Sequence, residues 1–185
     1  MSVLVERLLA VHDSLSRAGL PHAFGGAIAL AYCTEEPRGT RDLDVNIFAD
    51  AAFAEKALRS LPDEVAVSDV DIAITKRDGQ TRVWWDDTPI DVFLNNHPFH
   101  GEVAKGVRWV PLGGQDIPVL GCAALAVFKA LFNRTKDWAD IEAMAEAGGG
   151  DLRDAQSWVA ELLGPDDPIV AKLAELVPGV AGESG

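Results

Sequence analysis

The sequence has few positive charges, few cysteines and no long uncharged apolar run. Among its 185 residues are 16 Lys and Arg against 29 Asp and Glu, for a net charge of −13. Proteins that bind nucleic acid over a long footprint are normally basic, so any contact with RNA must be local. The longest uncharged runs, 22–34 and 117–128, fall short of the about 20 residues in a membrane-spanning helix, so no membrane partner is expected.

Cys33 and Cys122 are the two cysteines, and their spacing matches no metal-binding motif. We predict that both are reduced thiols in a cytosolic protein, because disulfides persist mainly in oxidising compartments. Residues 1–20 carry charges of both signs on an amphipathic pattern, which predicts a helix and not a secretory signal peptide. The expected location is therefore the cytoplasm.

The apolar pattern changes near residue 120 from mixed strands and helices to helices alone. We predict a core over 1–120, a helical region over 121–177 and a disordered tail over 178–185. Within the core, 70–76, 81–85 and 90–94 are expected to form an antiparallel meander. The other predicted strands are 21–24, 42–48, 107–112 and 117–120. The predicted helices are 3–18, 27–32, 51–61, 122–132, 137–147, 151–163 and 167–177.

Residues 40–48 alternate between polar and apolar side chains, as a half-buried strand does. Asp42 and Asp44 therefore share one face, about 7 Å apart along the strand. Two carboxylates at this spacing repel each other unless a cation lies between them. Hard divalent ions, above all Mg2+, take such oxygen ligands and usually share them with substrate phosphates. The pair predicts a metal site for nucleotide chemistry.

Gly25 and Gly26 lie where a predicted strand turns into a helix. Glycines let the backbone approach a ligand closely, and the N–H groups of the following helical turn favour phosphate oxygens. A tight turn without a ligand is the alternative interpretation. Arg38 and Thr40 converge on the same end of the strand that carries Asp42, which favours a phosphate-binding role for this turn.

Asp91 interrupts the otherwise apolar run 90–94. A carboxylate among apolar side chains normally has a partner or a metal, so we predict that Asp91 is a third metal ligand. The alternative is a strand-end acid that faces water. Asp69 and Asp71 repeat the two-acid spacing, but Asp69 lies at the entry to the predicted strand 70–76, where a solvated or capping acid is expected.

Lys129 is the first charge after the apolar segment 123–128. A lysine on a rigid helix suits the negative charge of a triphosphate, which favours a nucleotide-binding role. A solvated helix face is the alternative. The residues expected to share its face are Asn133, Lys136 and Asp140, with Asp137 in the same charged cluster.

Four segments together resemble the nucleotidyltransferase superfamily, in particular the AbiEii/MenT-type toxins of bacterial toxin–antitoxin systems. The resemblance covers roughly residues 20–145 and rests on 25–30, 38–45, 90–93 and 129–140. It implies an α+β nucleotidyltransferase fold, in which helices flank a mixed β-sheet and the C-terminal helical region completes the active-site cleft. It also implies a site with two Mg2+ ions that transfers a nucleoside monophosphate from an NTP to the 3′ end of tRNA, which would block translation.

The same resemblance implies a role for each site residue. Lys129 would neutralise the triphosphate, and Asp91 would take the proton from the attacking hydroxyl. Thr40 matches a position that a kinase antitoxin phosphorylates, and a phosphate there would add negative charge where the γ-phosphate must lie. The implied metal ligands are Asp42, Asp44 and Asp91. The implied nucleotide-binding residues are Gly25, Gly26, Arg38, Thr40, Lys129, Lys136, Asp137 and Asp140.

Two other functions stay open at this point. The same chemistry on a different acceptor would modify a protein tyrosine or an antibiotic hydroxyl of the aminoglycoside type. An acidic surface suits a cationic drug better than tRNA, whereas antibiotic-modifying relatives usually carry a larger acceptor-binding half than this chain provides. The third function is that of a catalytically inactive binding module or antitoxin, against which the retained acids and Lys129 argue.

Overall fold

A six-stranded mixed β-sheet lies in the first of two structural units. The computed structural model describes residues 2–148 and 152–177, and it is within these that the sheet and helices are assigned. The first unit is Met1–Ile28 with Arg38–Leu120, and the second is Ala29–Pro37 with Gly121–Gly185. The strands are β1 His22–Phe24, β2 Leu43–Asp50, β3 Gln80–Trp85, β4 Thr88–Asn95, β5 Arg108–Leu112 and β6 Gln115–Val119.

The helices begin and end largely where apolar spacing and capping residues predict. Ser2 caps α1, since its side chain accepts a hydrogen bond from the Val5 N–H. The helices of the first unit are α1 Val3–Arg17, α3 Ala54–Arg59, α4 Asp69–Asp78 and α5 Phe99–Lys105, with a 3-10 turn at Ala51–Phe53. Helix α2, Gly26–Thr34, continues into the second unit, which also contains α6 Cys122–Phe132, α7 Thr135–Glu146, α8 Leu152–Leu163 and α9 Pro168–Leu176.

The strand order within the described sheet is β3-β4-β2-β1-β6-β5. Strand β2 pairs parallel with β4 and antiparallel with β1, while β1 pairs parallel with β6. Two antiparallel hairpins, β3–β4 and β5–β6, form the flanks. Leu43, Val45 and Ile47 on β2 are fully buried and face the core, as the alternation predicts. The predicted α+β fold with a mixed sheet flanked by helices is confirmed.

The predicted strand 70–76 is wrong, because these residues belong to α4. The alternation of Val70, Ile72 and Ile74 suggested a strand, yet Val70 is 65% exposed. The decisive local signal is a capping box: the Ser68 side chain accepts from the Asp71 N–H, and the Asp71 side chain accepts from the Ser68 N–H. Thus Asp71 is a capping acid. Of the three strands in the predicted meander, only the two that form the β3–β4 hairpin are present in the structure. Helix α5 was also missed, since its seven residues are too short to show a helical period.

The two cysteines form a disulfide, which contradicts the prediction of reduced thiols. Cys33 near the end of α2 is bonded to Cys122, the first residue of α6, with a Cα–Cα distance of 5.7 Å. The two positions are separated by 89 residues in the sequence, and spacing alone cannot show that folding brings them together. In the second unit, this bond fixes the end of α2 to the beginning of α6.

Some predictions fall on residues that the structure leaves undescribed. The expected tail 178–185 and the predicted start of α8 at Asp151 both lie outside the described residues. Across 2–148 and 152–177, none of the helices has the length and apolar character needed to cross a membrane.

His12 on α1 and His22, the first residue of β1, form a buried hydrogen-bonded pair. His12 Nδ1 lies 2.9 Å from His22 Nε2, and His22 Nδ1 lies 2.8 Å from the Leu20 carbonyl oxygen. Because a carbonyl only accepts, His22 Nδ1 carries the hydrogen and His22 Nε2 accepts from His12. Burial lowers the pKa of both imidazoles below the usual value of 6.5, so the folded protein holds them neutral.

We predict that the free energy of unfolding falls as the pH drops below 6.5. The unfolded chain then takes up protons that the folded chain refuses, at a cost on the order of 1 kcal/mol per pH unit for each histidine. Urea unfolding between pH 7.5 and 5.0 measures this slope. His22→Asn should flatten it, and the exposed His97→Asn should not; equal slopes for all three proteins would contradict the assignment.

Candidate functional site

Three charged residues lie side by side on neighbouring strands of the sheet. Asp44 on β2 is the register partner of Asp91 on the parallel strand β4, and Arg82 on β3 is the antiparallel partner of Asp91. Residues directly opposite on adjacent strands project from the same face, with strands about 4.8 Å apart. We call Arg82, Asp91 and Asp44 the charged row.

The glycine turn lies against one end of the charged row. The Gly25 N–H donates to the Asp44 carbonyl at 2.8 Å, which continues the pairing of β1 with β2 to the first residue before α2. Gly26 has a φ of +52°, and a Cβ atom placed on it would lie 1.9 Å from Asp44 Oδ2. Only glycine fits this position, because it needs both a left-handed backbone and the absence of a side chain. The Asp44 carboxylate therefore lies directly beside the backbone at the start of α2.

Asp42 lies just before β2 and is about half exposed. Arg82 Nη2 is 4.0 Å from Asp42 Oδ2 and 2.7 Å from Asp91 Oδ2, so the guanidinium lies between these two carboxylates. The side chain of Thr40 hydrogen-bonds the backbone of Asp42, accepting from its N–H and donating to its carbonyl oxygen, both at 3.3 Å. Arg38 is exposed on the same irregular segment. The first unit therefore brings the three predicted metal acids and Thr40 into one region.

Arg82 was not identified from the sequence. Its Nε and Nη2 atoms each donate to a different oxygen of Asp91 at 2.7 Å, a two-point pairing that matches the flat carboxylate. Hydrogen bonding to Asp91 raises the pKa of Arg82 above its ordinary value, with smaller contributions from the charges of Asp42 and Asp44, so the guanidinium stays positive. Residues 81–85 were predicted to form a strand, but only the strand register shows that Asp91 lies opposite Arg82.

Asn46 is a second residue that the sequence analysis missed. It is buried on β2, two residues after Asp44, and a Cβ on Gly25 would lie 3.3 Å from its Nδ2 atom. A polar side chain packed against the glycine turn limits the space available to Gly25. The available signal was the polar alternation of residues 40–48, which places Asn46 on the face of Asp44.

The predicted cationic cluster lies in the second unit, where it forms a buried ion network. Lys129 Nζ is 2.6 Å from Asp140 Oδ2 and 3.8 Å from Asp137 Oδ1. Burial alone would raise the pKa of Asp137, but hydrogen bonds and charge from Arg134 outweigh it and lower that pKa. The predicted single helical face is wrong, since Asn133 has a φ of +52° and ends α6. Lys129 and Asp140 therefore meet from two different helices, while Lys136 is exposed.

The donor chemistry of the acids in the first unit fits a divalent metal. Asp42, Asp44 and Asp91 supply only carboxylate oxygens, the ligands that Mg2+ prefers. Among residues 2–148 and 152–177, no three His, Cys, Asp or Glu side chains are arranged to hold a metal ion as they stand. Arg82 bonds Asp91 and approaches Asp42, so metal binding by these acids requires the guanidinium to move.

Comparison with known proteins identifies the fold through structure alone. No protein-family model and no curated protein matches the sequence. The solution structure of the antibiotic-resistance factor ANT(2″)-Ia aligns with a TM-score of 0.61 at 10% identity, over 86% of this chain and 90% of that chain. Its complex with adenylyl-2″-tobramycin aligns with a TM-score of 0.60 at 11% identity, over 94% and 98% of the two chains. This is the nucleotidyltransferase fold.

The nucleotidyltransferase fold that the sequence resemblance implied is thereby confirmed. The lincosamide antibiotic adenylyltransferase LnuA, in its lincomycin-bound structure, aligns less closely, with a TM-score of 0.52 at 14% identity over 75% of this chain and 94% of that chain. At these identities the likeness establishes how the chain folds and leaves the roles of individual residues as predictions.

We predict that Gly26→Ala destabilises the protein, whereas Gly39→Ala does not. A non-glycine residue at a positive φ costs about 1 kcal/mol, and contact with the Asp44 carboxylate adds to it. A Cβ atom placed on Gly39 would meet no heavy atom within 4 Å, so Gly39 is the matched control. Urea unfolding of both variants tests this, and a Gly26→Ala protein as stable as the wild type would contradict the described turn.

We predict that Lys129→Met lowers the free energy of unfolding by on the order of 3 kcal/mol, because it leaves Asp140 buried without its cation. Lys136→Met, which changes an exposed lysine nearby, is the matched control and should have little effect. Chemical denaturation measures both changes. Wild-type stability of Lys129→Met would show that the ion network contributes little to the second unit.

Proposed function

We propose that this protein is a metal-dependent nucleotidyltransferase that moves a nucleoside monophosphate from an NTP to a hydroxyl acceptor. The observation that carries the proposal is the pairing of Asp44 with Asp91 on adjacent parallel strands, with the Gly26 backbone against Asp44. Carboxylates so close together on one face need a cation between them, and the neighbouring glycine turn offers backbone N–H groups for phosphates. The nucleotidyltransferase fold agrees with this chemistry.

In this proposal, Asp42, Asp44 and Asp91 would hold two Mg2+ ions. When bound, such ions neutralise the triphosphate and stabilise the attacking and leaving oxygens of an in-line displacement. The oxygen of the acceptor hydroxyl bonds to the α-phosphorus, and Asp91 accepts the proton that this hydroxyl loses. Pyrophosphate leaves with the electrons of the broken P–O bond. Gly26 would position the triphosphate through the backbone at the start of α2, while Gly25, whose N–H donates to the Asp44 carbonyl, would keep the turn free of side chains.

The remaining nucleotide-binding roles rest on side chains that already have partners. Thr40 would offer its hydroxyl to a phosphate oxygen beside Asp42, and the exposed Arg38 would add positive charge from the same segment. The resemblance also assigns nucleotide binding to Lys129 of the second unit, whose ammonium has three donors and hydrogen-bonds Asp140 with one of them. Lys136 and Asp137 complete the proposed set.

The first candidate acceptor is the 3′ end of tRNA, as for an AbiEii/MenT-type toxin. The support is the resemblance of residues 38–45 together with the glycine turn. A cognate kinase antitoxin would then phosphorylate Thr40, whose Oγ1 lies 3.3 Å from the backbone nitrogen of Asp42. A phosphate at this position would repel the γ-phosphate of an NTP and compete for the metals.

The second candidate acceptor is a cationic small molecule that carries a hydroxyl, such as an aminoglycoside. A net charge of −13 attracts such a compound and repels RNA. The expectation that an antibiotic-modifying protein needs a larger acceptor-binding half is wrong for ANT(2″)-Ia, because the alignment covers 98% of that chain in its complex with adenylyl-2″-tobramycin. Chain length therefore gives no reason to prefer tRNA.

We predict that Asp44→Asn and Asp91→Asn each reduce nucleotidyl transfer by at least about 100-fold while the protein stays folded. Asp69→Asn is the matched control, because Asp69 is an exposed acid of the same two-acid spacing and pairs with Arg59 instead. The measurement incubates each protein with Mg2+ and the four α-labelled NTPs, with total tRNA in one series and a panel of aminoglycosides in the other.

The outcomes of this assay separate the candidate functions. Label on tRNA supports the toxin, and label on an aminoglycoside supports the small-molecule acceptor. Calorimetric titration of the protein with each NTP, in the presence and absence of Mg2+, tests the third function. Absence of both transfer and metal-dependent nucleotide binding in the wild-type protein would contradict the proposal and favour an inactive binding module.

A further inference from the structure

Arg82 lies among the acids that the proposed function assigns to metal ions. It makes two hydrogen bonds to Asp91 and lies 4.0 Å from Asp42, so one fixed positive charge already compensates part of the negative charge of the site. Its strand neighbour Val83 is buried, which anchors the backbone of β3, whereas the Arg82 side chain is 49% exposed. The guanidinium therefore has room to turn away from Asp91 without any change in the sheet.

A comparison with Arg7 shows that Arg82 differs from a purely structural arginine. Arg7 binds Asp86, Asp87 and Thr88 in the β3–β4 turn, and its own side chain is only 11% exposed. That arginine is held by packing and by three partners of the hairpin. Arg82 bonds mainly one carboxylate, and its side chain is about half exposed, so a ligand arriving from solvent can reach the guanidinium.

We propose that Arg82 is a resident counterion of Asp91 that is displaced when NTP binds, so that metal binding depends on the nucleotide. This inference rests on the proposed function. A triphosphate carries more negative charge than one carboxylate and offers oxygens that match the planar guanidinium equally well. Arg82 moves from Asp91 to the phosphates as the nucleotide arrives, and the freed Asp91 becomes available as a metal ligand. Arg82 is thus a positioning residue that makes the two ligands bind together.

The linkage between the two ligands follows from the exchange of partners. Without nucleotide, a metal ion must displace the guanidinium from Asp91, and this competition weakens its binding. With nucleotide, the guanidinium has a second partner and the competition is removed. Since binding free energies are reciprocal, the metal must raise the affinity for NTP by the same factor. Removing Arg82 abolishes the competition and the part of the linkage that this competition causes.

The test measures Mn2+ binding by calorimetry, with and without non-hydrolysable analogues of the four NTPs. Without nucleotide, Arg82→Ala should bind Mn2+ at least about 10-fold more tightly than the wild type, because the competing charge is gone. Asp91→Asn in the Arg82→Ala background should abolish this gain. Arg77→Ala is the matched control: it removes an exposed two-point pair with Asp78 on α4 and should leave Mn2+ binding unchanged.

A second readout is thermal unfolding of the same proteins. With EDTA present and no metal, Arg82→Ala should unfold at a lower temperature than the wild type, because its acids repel one another. When Mn2+ replaces EDTA, the unfolding temperature of Arg82→Ala should rise again. Arg82→Gln replaces the alanine variant if the latter does not fold. Arg82→Lys keeps the charge but not the two-point geometry, so its Mn2+ affinity should lie between those of the wild type and Arg82→Gln.

Two results would overturn the inference, and they are distinguishable. If the wild type binds Mn2+ and nucleotide but Arg82→Ala and Arg82→Gln bind Mn2+ no more tightly without nucleotide, Arg82 is not a counterion in competition with the metal and the proposed function survives. If no protein binds Mn2+ or nucleotide under any condition, the inference and the proposed function both fail.

Discussion

The constraint on which this site depends is the electrostatic cost of holding carboxylates side by side on one face of a sheet. Asp44 and Asp91 are forced into neighbouring positions by the parallel pairing of β2 with β4, and no rotation of the strands can separate them. A nearby cation relieves this repulsion by favouring the charged form of both carboxylates. In the described structure that cation is the guanidinium of Arg82, bonded to Asp91.

The backbone around these acids is organised to admit a negatively charged ligand beside them. Gly26 brings the beginning of α2 against the Asp44 carboxylate, where any side chain would collide with it. Helix beginnings carry partial positive charge and free N–H groups, so the turn combines close approach with favourable electrostatics. The core-facing residues Leu43, Val45 and Ile47 of β2 are fully buried, which gives this arrangement a rigid support.

In the second unit, charged side chains form a buried ion network. Lys129, Asp137 and Asp140 lie together with little solvent exposure, and their mutual contacts compensate the loss of hydration. A network of this kind stabilises the packing of α6 against α7 whether or not it also binds a ligand. The Cys33–Cys122 bond adds a covalent link to α2 in the same unit. The charge of these three side chains is therefore insufficient by itself to assign them a catalytic role.

The sequence by itself determined the α+β composition, the limits of α6 and the strands that carry Asp44 and Asp91, because apolar periodicity reports which face is buried. It failed for α4, where the short alternation outweighed the capping box. The tertiary structure alone decided which distant residues meet: Arg82 with Asp91, Lys129 with Asp140 across a helix break, and the two cysteines. Local patterns record burial and turn chemistry, whereas strand register and helix packing follow from the free energy of the whole fold.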